Sequence, residues 1–182
     1  MPILGALMGF FFFPGVSAPV PVSVPAPAAI QTYGVTLTAY NAVPAQTDSD
    51  PLVTASGAYS NPEVVAARSR DLAKELPFGT IIEIQGPASP EYSCGYGIVA
   101  PIIGYRVIAD TMNARYTNRI DILFNTKSNY VLADGSVKNA APVLGVCSGT
   151  RIRVVGHVDI RNIPKTQAEL AAIALHNAFA LK

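Results

Sequence analysis

The chain has 182 residues, half of them hydrophobic and only 14% charged, which suits one domain with a packed core and excludes disorder outside the ends. Thirteen basic against 12 acidic side chains leave a net charge of +1, so neither nucleic acid nor an anionic membrane surface is an expected partner. The two histidines, His157 and His176, stand at no metal-ligand spacing from a cysteine, and no metal or other cofactor is expected.

In chain order, no charge precedes Asp48, and Met1 to Val16 is an apolar run of signal-peptide length. Gly and Pro break it, and it is too short to span a bilayer as a helix. Residues 1–18 are therefore expected to be a signal peptide, with small residues for cleavage at Val16-Ser17-Ala18 or Ala26-Pro27-Ala28. No Lys or Arg lies near Met1, so an uncleaved anchor is the alternative. Export places the mature protein in the cell envelope, periplasmic or extracellular, with no stable membrane insertion. Under export the two cysteines, Cys94 and Cys147, pair. That bridge contributes roughly 4 kcal/mol in the chain-entropy model. Without export they would be two buried thiols. The alternating prolines from Pro19 to Pro27 make residues 19–32 an extended linker.

From Tyr33 the pattern turns to strands. Val35 to Tyr40 alternates with a period of two; Asn41 to Pro51 is turn-rich; Pro62 to Leu76 has the mixed composition of a short helix. Thr80 to Ile84 reads as a strand, Gly86 to Gly104 as a long loop, and Arg106 to Ala109 as a buried strand leading into Asp110. Arg119 to Phe124 alternates, so Ile120, Ile122 and Phe124 share one face and Asp121 points to the other. Asn125 to Val143 is an insertion with an Asp134-Gly135 turn, and Thr150 to Val158 returns to strand character. Thr166-Gln167-Ala168-Glu169 has capping-box form and opens a final helix, with Leu170, Ile173 and Ala174 at helical spacing. Short strands with long connections predict a mainly β fold, a small closed barrel over residues 33–160 with peripheral helices, and a helix in 161–182 packed on it.

The candidate chemistry sits in one strand-loop-strand unit. Asp110 ends the first strand, Asp121 lies within the second, and a loop rich in Asn, Thr and Arg joins them. Such a unit holds two carboxylates rigidly at a groove. The bland alternatives are an Asp binding the next turn's backbone N–H groups and an Asp paired with an arginine. Tyr40, Thr54, Tyr116 and Arg119 are candidate groove residues for substrate.

Thr38-Ala39-Tyr40, Thr54-x-x-Gly57, Pro77-x-Gly79-Thr80, Ala109-Asp110-Thr111 and Asn118-Arg119-Ile120-Asp121, taken in that order, resemble the 3D domain, named for three aspartates. That family is similar to the catalytic barrel of membrane-bound lytic transglycosylase A, and the resemblance runs from about Val35 to Val155. It implies a six-stranded double-psi β-barrel. It also implies cleavage of peptidoglycan glycan strands without water, leaving 1,6-anhydromuramic ends. Asp121 matches the catalytic acid, Asp110 its supporting aspartate, and Asp71 in Ser69-Arg70-Asp71-Leu72 the first of the three. The chain departs from the pattern in the loop joining Asp110 to Asp121, where Met112-Asn113 replaces the usual Gly-Gly and Tyr116 stands where the family has Lys, and at Asp71, which sits one residue further from Pro77 than the pattern has it. For this chemistry Asp121 must hold a proton near neutral pH, which desolvation and the neighbouring Asp110 favour and Arg119 opposes. Two other readings remain: an ordinary two-carboxylate glycosidase, and a non-catalytic cell-wall glycan-binding or envelope-structural module.

Overall fold

The computed structural model describes residues 31–47, 50–89 and 94–180. The expected signal peptide and nearly all of the linker lie outside the described residues. Six strands close a barrel: β1 (Thr32–Asn41), β2 (Val65–Arg68), β3 (Thr80–Gln85), β4 (Tyr105–Thr111), β5 (Arg119–Phe124) and, after a small hairpin of β6 (Asn129–Val131) and β7 (Val137–Asn139), β8 (Cys147–His157). Around the barrel they run β1-β5-β2-β4-β3-β8. The β1–β5 and β2–β4 pairs are parallel, and the other four contacts are antiparallel.

Alternation explains how one short chain builds two apolar layers. Leu37, Ala66, Ile82, Ile84, Ile108, Ile120, Ile122 and Ile152 come from all six strands and meet in one cluster, the barrel interior. Their chain neighbours Val65, Ala67, Ile81, Val107, Ala109 and Leu123 form a second cluster together with Leu170. Leu170 belongs to the C-terminal helix Gln167–Ala180, which packs on β4 and β8. Its capping box is reciprocal: Glu169 N donates to Thr166 Oγ1 at 3.3 Å, and Thr166 N donates to Glu169 Oε2 at 3.1 Å. Gln167, in its first turn, accepts from Tyr105 N and donates to Tyr105 O, fixing the helix to the start of β4.

The helix expected over Pro62 to Leu76 is corrected. Val65–Arg68 is strand β2, and only Arg70–Ala73 turns helically, as a 3-10 segment. All four residues of β2 are buried, between β4 on one side and β5 on the other. A strand covered on both faces shows a continuous apolar run, and Val64-Val65-Ala66-Ala67 has no period to read.

The long loop before β4 contains a helical turn (Tyr96–Val99) followed by a 3-10 turn (Ala100–Ile102), and is tied down by the Cys94–Cys147 disulfide, as expected from the cysteine count. The Asp134-Gly135 turn joins β6 to β7, with Gly135 at φ 79° and Asp134 Oδ1 accepting from Ser136 N. Among the described residues no helix is long and apolar enough to cross a membrane.

Candidate active site

The barrel's register brings the two aspartates to one place. Ala67 of β2 is paired with Asp110 of β4 on one side and with Asp121 of β5 on the other. Two inter-strand steps put the aspartate backbones roughly 10 Å apart, with only a methyl group between them. Both carboxyl groups line a cleft of about 720 Å³, a size usual for ligand sites. The cleft is also lined by Gln46, Thr47, Val53 and Ala55 from the segment after β1, and by Arg70, Met112, Arg115 and Tyr116.

Three donors converge on Asp110. Tyr40 Oη donates to Oδ2 at 2.8 Å, while the Ala55 and Thr111 amides donate to Oδ1 at 2.9 and 2.8 Å. Tyr40 thus lines the cleft, with its hydroxyl engaged by Asp110. Burial, and then Asp110, raise its phenol well above the ordinary 10. Thr54 is buried and spends its hydroxyl inside its own turn, on Ser56 Oγ and Ala58 O. Its contribution is indirect, because that turn presents the Ala55 amide to Asp110.

Asp121 is held differently. Thr38, its register partner on β1, donates Oγ1 to Asp121 Oδ1 at 2.7 Å. Oδ2 has no hydrogen-bond partner among the described residues. Desolvation pushes the Asp121 carboxyl up to about 6, and Asp110 adds to the rise; the Thr38 hydroxyl and Arg119 pull the other way and lose. The opposition expected between burial and Arg119 is therefore decided in favour of burial.

Asp71 lies elsewhere. It is exposed, does not line the cleft, and accepts from Asn118 N at 2.9 Å, a residue at φ 50°. The Ser69 hydroxyl chiefly, with that amide, holds the Asp71 carboxyl below its ordinary value. It fixes the turn that feeds β5 and so aims Asp121 from a distance. Arg119 also stays outside the lining: its guanidinium lies over the Tyr116 ring, 4.9 Å from the centroid, and Arg115 lies over the same ring at 4.7 Å. Met112 is buried in the second apolar cluster, which accounts for a bulky residue where the resembled family has glycine.

Sequence reasoning did not single out Thr38, Ala67, Arg70 or Arg115. Thr38 was readable, being on the same strand face as Tyr40. Ala67 and the Ala55 amide depend on register and carried no local signal. Among the described residues no group of three or more His, Cys, Asp or Glu gathers as a metal site. No protein-family model matches the chain, and no curated protein matches it either.

Proposed function

We propose that this chain cleaves peptidoglycan glycan strands as a lytic transglycosylase, with Asp121 as proton donor and then acceptor, in an exported double-psi β-barrel. One observation carries the reading: a carboxyl raised to about 6, with a free oxygen, lines a cleft beside a second carboxylate held by three donors. A pure binding groove has no need of a proton carrier.

A glycosidic oxygen leaves only when protonated. Protonated Asp121 gives its proton to that oxygen as the C1–O bond breaks, and positive charge builds on C1 and the ring oxygen. Asp121, now a carboxylate, takes the proton from the sugar's own C6 hydroxyl, whose oxygen closes on C1. The products are a free hydroxyl on one fragment and a 1,6-anhydro ring on the other, and Asp121 is protonated again. Asp110 keeps negative potential beside Asp121, which favours its holding the proton in the first half of the cycle. Its own position is fixed by Tyr40, Ala55 and Thr111.

Mass spectrometry of muropeptides released from purified sacculi tests the reading. Wild type is expected to give products one water lighter than hydrolysed ones, and Asp121→Asn, still folded, to lose at least ~10²-fold in rate. Reducing ends instead would change the mechanism to hydrolysis. No release by a folded, sacculus-binding wild type would leave the non-catalytic module.

A further inference from the structure

The cleft contains two cations that this mechanism does not use. Arg70, at the start of the 3-10 segment after β2, and Arg115, in the loop between β4 and β5, both line it. Among the described residues neither has a carboxylate partner, and the ion pair formed is Arg153 with Glu83, on the β3–β8 side of the barrel. The carboxylate next to Arg70 in the chain, Asp71, is occupied by the Asn118 amide. Arg115 is nevertheless held in place, because its Nη2 donates to Tyr116 Oη at 2.8 Å and its guanidinium lies over the Tyr116 ring. Arg119 shares that ring, so two like charges stand within about 10 Å of each other, a distance over which salt does not screen them fully. A guanidinium pinned by one nitrogen keeps its other donors for a planar anion, and the crowding of positive charge is relieved when an anion arrives.

We infer that Arg70 and Arg115 form a carboxylate-binding subsite, so that the glycan taken into this cleft carries an acidic substituent. Tyr116 is the positioning residue that fixes the Arg115 fork. The inference rests on the reading of the cleft as a glycan site, and it names what that glycan must display. The altered loop thereby acquires a role in binding. Where the resembled family has one Lys, this chain places Tyr116, which organises arginines on either side of it in sequence.

Binding separates this proposal from the proposed reaction. The full chain carrying Asp121→Asn is co-sedimented at fixed ionic strength with purified sacculi. The sacculi are either native or treated with carbodiimide and ethanolamine to convert free carboxyls to neutral amides. Affinity is expected to fall about tenfold or more on amidation. Arg70→Gln and Arg115→Gln should each lose about as much on native sacculi, and their double variant should no longer distinguish the two preparations. Lys74→Gln, an exposed charge on the chain near Arg70, is expected to change neither, and unaltered thermal melts verify that the variants fold. Equal binding to native and amidated sacculi, or no binding to either, overturns the inference. Carboxylate-dependent binding by a wild type that cleaves nothing would sustain it while sinking the transglycosylase reading. Equal cleavage of native and amidated sacculi would do the reverse.

Discussion

An aspartate in water has lost its proton two units below the pH at which Asp121 is asked to donate one, and the difference is made by burial and three neighbours. Burial and Asp110 raise the carboxyl; Thr38 and Arg119 lower it, and the balance is a value of about 6. Because this folded value exceeds the ordinary 3.8, the folded state binds the proton more tightly than the unfolded chain. The associated stability is fully present below the unfolded value and is lost as pH rises through about 6. Two units correspond to about 3 kcal/mol. Asp121→Asn cannot ionise, yet its carbonyl still accepts from Thr38. Thermal melts should therefore show the variant gaining on wild type by up to about 3 kcal/mol between pH 4 and pH 7. A difference independent of pH would mean that Asp121 titrates as an ordinary surface aspartate. At this scale the sequence showed which face Asp121 occupies, since Ile120 and Ile122 alternate around it. It could not weigh Arg119 against burial, because that balance depends on how deep β5 lies and on Arg119 being drawn over Tyr116.

Between residues and fold, the elements are joined by a side chain that looked unremarkable in the sequence. Arg106, read there only as the first residue of a buried strand, is itself fully buried. Its guanidinium donates to Ile103 O at 2.6 Å, Pro62 O at 2.7 Å, Ile102 O at 2.8 Å and Leu123 O at 3.2 Å. It thereby ties the turn before β4 to the approach to β2 and to β5, the three strands whose register unites Asp110 and Asp121. Burial pulls its basicity down to about 9 against the opposing pull of Tyr40 and Glu63, and it remains charged at neutral pH. Arg106→Met keeps the length and apolar stem but strands several carbonyls, and equilibrium denaturation should show a loss of about 3 kcal/mol or more. A loss under about 1 kcal/mol would mean that water replaces the guanidinium and that the strands are held by their ladders alone. The helix expected where β2 stands failed for a related reason. A four-residue strand paired along both edges and buried on both faces by the two apolar clusters is recognisable only once those partners are known.

At the scale of the whole molecule, the closed barrel, the terminal helix with its reciprocal cap and the disulfide were legible in the sequence, because each is written in local pattern or in residue count. Strand order was not. Ala67 lies 43 residues from Asp110 and 54 from Asp121 in the chain, and no periodicity announces that β2 passes between them. The site exists only through that closure: β1 supplies Thr38 and Tyr40, β2 the small residue that leaves room, and β4 and β5 the two carboxyls. The central claim, that this closure makes Asp121 a proton carrier, is tested most directly by following side-chain carboxyl carbons by NMR across pH 3 to 8, with Asp121→Asn assigning the resonance. A midpoint for Asp121 near 6 is the result the account predicts. A midpoint close to 3.8, the ordinary aspartate value, would contradict it and remove the reason for reading the cleft as catalytic.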